Sequence, residues 1–271
     1  MNNKPSQPWQ LEMFQRSLKK QQKLAALLEL LGDSNGKECL FITCGDNNGA
    51  LNWYFRAHGG HWTWADVSGE NNEQIAELLG EPVHSLPEEH FPFPAERFDC
   101  VVSIDVLEHL RQDQTFLREL RRVLKTGGRA IVTVPNGDSR LLANRIKWRL
   151  GMKPDVYGHT RAGYTLDELK QTVRRAGLTP SEGGGYSRFF TEMIELAINY
   201  AYVFVLSKKR DRATPGRIAP ASSEELNKHG MAYRLYALFF PLAWAFSRLD
   251  RLFSSRTDNA VIVVAEKRDH G

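Results

Sequence analysis

The chain is short of cysteine, of net charge and of long apolar runs, and each shortage narrows what it can be. Only Cys39, Cys44 and Cys100 occur in 271 residues. An odd number, all in or beside apolar stretches, reads as reduced, buried thiols in a reducing compartment rather than a disulfide framework. A net charge of +4 is too small for a dedicated nucleic-acid binder, so no specific nucleic-acid partner is expected. The opening Met-Asn-Asn-Lys-Pro-Ser-Gln-Pro lacks the apolar core of a secretion signal, and a cytoplasmic setting is expected. No apolar stretch singled out below reaches the ~20 residues that span a bilayer. No metal centre is expected. What is present, 42% hydrophobic and 25% charged residues, is the composition of a globular protein. The length suffices for one large α/β domain with something to spare.

The organising stretch is Glu38 to Gly49. Cys39 to Thr43 reads as a short strand buried on both faces. Cys44-Gly45-Asp46-Asn47-Asn48-Gly49 is rich in residues that tolerate tight turns and positive φ, and Leu51 to His58 then reads as a helix. Strand, glycine turn and helix together present backbone N–H groups to a nucleotide-like ligand. The plainer alternative is that the two glycines serve packing only.

In chain order, Trp9 to Leu31 reads as one helix, its apolar residues recurring at spacings of three and four, ended by Gly32 to Gly36. Strands follow at His61 to Ala65, near Val83, at Phe98 to Ile104 and at Arg129 to Val134. Helices lie at about Asn71 to Leu79 and Phe116 to Leu124. This alternation predicts a doubly wound, mostly parallel α/β sheet. Asp66 closes the second strand, twenty-one residues beyond Gly45, the distance at which a carboxylate accepts the hydroxyls of a ribose. The alternative is a loop acid capping the next helix.

A nicotinamide enzyme and a methyltransferase both fit so far. The next segment separates them. Phe98 to Leu110, containing Asp105-Val106-Leu107-Glu108-His109, resembles the fourth-strand motif of class I S-adenosylmethionine (SAM)-dependent methyltransferases, and so does its continuation, Phe116 to Arg129 and Ile131 to Asn136. The resemblance covers roughly residues 10–190 and returns at Ala260 to Ala265, the family's final, antiparallel strand. It implies a seven-stranded Rossmann-like sheet with SAM as cofactor. It divides the chain into an N-terminal helical extension (1–36), a SAM-binding core (37–188), a helical insertion (189–256) and the last strand with its tail (257–271).

The resemblance implies that Thr43, Gly45, Asp46 and Gly49 form the turn beside the methionine part of SAM. Asp66 would meet the ribose, Ile104 and Asp105 would line the cofactor, and Glu88 or Glu89 stands near the adenine amine. Two positions depart from the family, which has an acid where Phe41 stands and a glycine where Thr43 stands. Both put affinity, more than fold, at issue; Asp46 and Asn47 stand where they could compensate.

His109 and His159 are the candidate catalytic residues. An imidazole can take a proton near neutral pH, as an attacking hydroxyl requires, and in relatives a histidine here acts as base or holds the acceptor. For each the alternative is a purely structural role. Thr165 and Glu168 form a capping box for the helix after His159. Ser139 to Leu150 mixes Arg140, Arg145, Lys147 and Arg149 with apolar residues. It reads either as a lid presenting cations to an anionic acceptor or as an amphipathic helix with a solvated basic face.

The insertion holds two apolar stretches, Met193 to Leu206 and Met231 to Phe246, joined by a linker with Lys208, Lys209, Arg210, Arg212 and Arg217. Aromatics beside clustered cations suit peripheral contact with the inner face of a membrane. A helical cap on the sheet or a homodimer interface is the alternative, and Pro241 should kink or split the second helix. The whole sequence therefore reads as a methyltransferase acting on a hydroxyl or other nucleophile of a small-molecule, glycan or lipid-linked acceptor. A catalytically silent, methyltransferase-like binding or scaffold module is the competing class.

Overall fold

The structure is a computed structural model and describes residues 7–45, 47–201, 230–252 and 258–268. Seven strands form one sheet: β1 (Glu38–Thr43), β2 (His61–Asp66), β3 (Val83–Ser85), β4 (Phe98–Ile104), β5 (Leu124–Pro135), β6 (Thr179–Tyr186) and β7 (Ala260–Glu266). Their order is β3-β2-β1-β4-β5-β7-β6. The first five pair in parallel, while β7 runs antiparallel to both β5 and β6. The doubly wound sheet expected from the alternation is present. β1 and β4 lie at its centre and bury both faces. Leu40 and Ile42 pack with Val101, Phe116 and Val263 on one side, and Cys39 and Phe41 with Leu27, Phe55 and Ile262 on the other.

The stretch expected as one N-terminal helix is two, α1 (Trp9–Gln15) and α2 (Leu18–Leu31). Ser17 breaks it, its hydroxyl accepting the Lys20 N–H at 3.4 Å as an N-cap. The break lets Leu11 and Phe14 of α1 join Leu27 and Leu31 of α2 in the same core as β1. The segment therefore packs on the sheet.

The helices α3 (Ala50–Ala57), α4 (Asn72–Leu79), α5 (Asp113–Val123), α6 (Leu142–Arg149) and α7 (Leu166–Arg175) follow the strands. In α7 the Thr165–Glu168 capping box is formed. β6 had no strand signal, because Pro180 and Gly183-Gly184-Gly185 disfavour one. At a sheet edge such residues are tolerated. Gly185 is also required there, since a Cβ would lie 2.4 Å from the Ala260 carbonyl oxygen.

The insertion begins with α8 (Phe189–Tyr200) and resumes with α9 (Gly230–Ser247) and a 3-10 turn (Arg248–Leu252). Asp250 ties them together: its carboxylate accepts the N–H groups of Phe190 and Thr191 at 2.7 and 3.0 Å, and the Phe190 and Phe246 rings meet at 4.7 Å. Of the kink or split expected at Pro241, the split does not occur: α9 runs through it. Pro241 is exposed, so water can satisfy the carbonyl its ring leaves unpaired. Residues 202–229, including the cations from Lys208 to Arg217, lie outside the described residues. No described helix is long and apolar enough to cross a membrane.

Candidate active site

After β1 the chain turns through Cys44 and Gly45 into α3. Gly45 has φ 68° and Gly49 φ 87°, the left-handed region that favours glycine. Asp66 pairs in register with Thr43 across the β1–β2 ladder and supports this turn from below. Its carboxylate accepts the Thr43 hydroxyl at 2.6 Å, the Gly45 N–H at 3.1 Å, both the N–H and the hydroxyl of Ser68 at 2.9 Å, and the Gly69 N–H at 2.9 Å. Both oxygens are engaged and the side chain is fully buried. The ribose contact expected of Asp66 is not what these bonds describe: in this structure its carboxylate supports the turn and does not border the cavity. Phe41, where relatives carry an acid, packs its ring 4.8 Å from Phe55 and 5.6 Å from Trp64. The carboxylate that holds the turn comes from the neighbouring strand instead.

A cavity of about 360 Å³ opens between the turn, the end of β4 and the helices α2, α6 and α8. Of the candidate cofactor-binding and catalytic residues, Gly45, Asp105, His109 and His159 line it, as does Lys147 from the basic stretch 139–150. Thr43, Gly49, Asp66 and Ile104 are buried behind its wall. Glu88 and Glu89 do not border the cavity, whereas Ser68, Glu70 and Gln74 do. Asp46 lies outside the described residues.

Asp105 has φ 50°, an uncommon conformation for a non-glycine residue, which follows directly on β4. Its carboxylate pairs with Lys23 of α2, and its other oxygen, Oδ1, is buried with no hydrogen-bond partner among the described residues. A second ionic group closes the cavity. Glu192 of α8 is fully buried; it pairs with Lys19 at 2.8 Å and with Lys147 of α6, and it accepts the Ser187 hydroxyl at 2.6 Å. Burial alone would raise its carboxyl, but Lys147 and Lys19 outweigh that and hold it at about 2. Lys147 thus spends its charge on Glu192, which answers the lid reading of 139–150 for that residue.

His109 and His159, far apart in sequence, stand edge to face with ring centroids 4.7 Å apart. His109 Nδ1 lies 3.2 Å from the Gly158 carbonyl, which can only accept, so Nδ1 is the donor and, in the neutral ring, Nε2 keeps its lone pair. Burial, followed by the nearby His109, pushes His159 down to about 3, so it is neutral at pH 7. The loop between them is held by Thr160, whose N–H and hydroxyl donate to the Glu108 carbonyl at 2.8 and 2.9 Å. Sequence reasoning missed Lys19, Lys23 and Glu192. The available signal was Glu192 itself, an acid between apolar residues of α8, where burial demands partners.

Residues 14–182 match the family described as methyltransferase domain, well over half of the chain. The chain belongs to this family of class I SAM-dependent methyltransferases. A ubiquinone biosynthesis O-methyltransferase of Cereibacter sphaeroides is 33% identical to the methyltransferase over 93 residues, 33% of this chain and 38% of that one. The match thus spans little more than a third of that relative's length. A phosphoethanolamine N-methyltransferase of Haemonchus contortus, solved with phosphomonomethylethanolamine and S-adenosylhomocysteine, superposes with a TM-score of 0.56 at 14% identity. That superposition covers 92% of this chain and 53% of that one. The [4+2]-cyclase SpnF gives 0.57 at 19% identity over 92% of this chain and 81% of that one. These two likenesses are of fold alone, and the cyclase shows that the fold hosts more than one chemistry.

Proposed function

We propose that this methyltransferase transfers a methyl group from SAM to a hydroxyl of a small-molecule acceptor in the cavity between the glycine turn and the histidine pair. The observation that carries the reading is the convergence of Gly45, Asp105, His109 and His159 on one cavity, cofactor-side and acceptor-side groups together. The site fits the cofactor chemically. Asp105 Oδ1 is a buried acceptor left for a cationic or N–H donor, and the Gly45 backbone faces the cavity without a Cβ. Ser68 and Glu70 border the same end, and on this reading they offer the ribose hydroxyls acceptors that the inward-turned Asp66 does not. Bound there, SAM supplies an electrophilic methyl on a positively charged sulfur. The chain's own contribution is to position the acceptor and exclude water, with α6 and α8 locked over the cavity by the Glu192 ion pairs. The lone pair at His109 Nε2 holds and activates the acceptor hydroxyl.

A lipid-linked or glycan acceptor is the finer reading. The exposed apolar residues of α9, Leu238, Phe239, Leu242 and Trp244, support the lipid-linked form. A non-catalytic module is favoured by a different observation, the Lys23–Asp105 pair that already occupies part of the cofactor end. Calorimetric titration of the full chain with SAM and S-adenosylhomocysteine separates the two. Saturable binding of either supports the enzyme, and no heat from either ligand with folded protein rules it out.

A further inference from the structure

Beyond pairing two histidines, the acceptor side of the cavity brings a carboxylate to the same point. Glu108 is fully buried next to His109, and one ligand atom from each of Glu108, His109 and His159 lies within 4.8 Å of the others. All three residues line the cavity. The convergence is built by the backbone. His159 is brought to Glu108 by the two Thr160 hydrogen bonds to the Glu108 carbonyl, and His109 is oriented by the Gly158 carbonyl on the other side of His159. A backbone carbonyl on Nδ1–H is the contact that fixes the tautomer of a ligating histidine and leaves Nε2 to a metal.

We infer that Glu108, His109 and His159 form a binding site for a divalent transition-metal cation at the acceptor end of the cavity. Two imidazoles and one carboxylate, with no thiolate among them, suit Mn²⁺, Fe²⁺, Co²⁺ or Zn²⁺. Three protein ligands leave coordination positions open to a substrate oxygen, as in catalytic rather than structural sites. Ligand atoms sit about 2.0–2.2 Å from such a metal, hence roughly 3–4 Å from one another. The 4.8 Å spread closes with side-chain rotations of about an ångström. The local charge permits it, since the nearby ammonium groups of Lys19 and Lys147 are offset by Glu192 and that of Lys23 by Asp105.

The catalytic meaning of the site rests on the methyltransferase reading above and deepens it. With a cation bound here, the direct contact of His109 Nε2 with the acceptor hydroxyl would be replaced by one through the metal, which would ligate that oxygen and make it more acidic, its proton passing to solvent at the cavity mouth.

The test uses the full chain, stripped with a chelator, and Mn²⁺ alone as the probe, followed by electron paramagnetic resonance. One Mn²⁺ should bind per chain, and pulsed spectra of the wild-type complex should show nitrogen modulation from coordinated imidazole. His109→Ala and His159→Ala, checked for folding by thermal unfolding, should each weaken binding by about 10-fold or more, at least the loss expected from an outer-shell change. No Mn²⁺ binding by the wild type, binding without imidazole nitrogen, or affinity unchanged in both folded variants each overturns the inference. S-adenosylhomocysteine titrated into the same samples separates the two readings. If it binds and Mn²⁺ does not, the cation site alone falls. If Mn²⁺ binds through imidazole and it does not, the cation site stands and the methyltransferase reading falls.

Discussion

Asp66 carries the main lesson at the scale of single residues. Its type and its distance from Gly45 suggested a ribose contact, yet every lone-pair direction it has is taken by Thr43, Gly45, Ser68 and Gly69. The two roles predict different outcomes for Asp66→Ala. A surface ribose contact would cost about 1–3 kcal/mol of cofactor affinity and leave the fold alone. A buried carboxylate with this many donors leaves them all unsatisfied when removed, so we expect a clear fall in melting temperature, by several degrees or more, as well as loss of SAM binding. Differential scanning fluorimetry beside calorimetry decides it; unchanged melting with weakened binding would return Asp66 to the ribose. Asp105→Asn, by contrast, should weaken cofactor binding with a smaller effect on melting.

The second lesson concerns how elements meet. α2, α6 and α8 are distant in sequence and are joined at Glu192, between Lys19 and Lys147. Removing the fully buried carboxylate leaves two half-buried ammonium groups without their partner, which costs up to about 3–5 kcal/mol. The sign of its pH dependence follows from its depressed carboxyl. The folded value of about 2 lies below the ordinary glutamate value of 4.5, so the stabilisation is present above the latter and is lost as pH falls toward 2. Urea unfolding of Glu192→Gln should therefore show a large deficit against wild type at pH 7 and a much smaller one at pH 3. A deficit independent of pH would mean that packing, not charge, holds these helices. The β6 strand belongs to the same scale. Its glycines and Pro180 oppose a strand locally, and only the seven-residue ladder with β7 overrides them.

At the scale of the whole molecule, α9 and the turn after it leave Leu238 (70% exposed), Leu242 (67%) and Leu252 (79%) uncovered. In sequence this face is near the cations from Lys208 to Arg217. We propose that it meets an anionic lipid surface, because buried apolar area and attraction to head groups add. Wild-type protein should float with anionic liposomes at low salt, and less so as salt screens the cations over about 8–10 Å. A Leu238→Ser/Leu242→Ser variant, and one with Lys208, Lys209, Arg210 and Arg212 changed to Ser, should each float less. Failure of the wild type to float would assign the face to a cap or a protein interface.

By itself the sequence determined the parallel part of the sheet and the family, because these depend on local periodicity and on a contiguous run from Phe98 to Asn136. It also named the cavity residues just past strand ends, Gly45 and Asp105, since strand ends dictate where the next residues lie, and His109 through the motif that continues from β4. Only the tertiary structure decided which carboxylates face the cavity and which face inward. It turned Asp66 under the loop, brought Glu192 to two lysines, and set His159 against Glu108 and His109. Burial and pairing of charge are properties of elements brought together, and no local pattern along the chain encodes them.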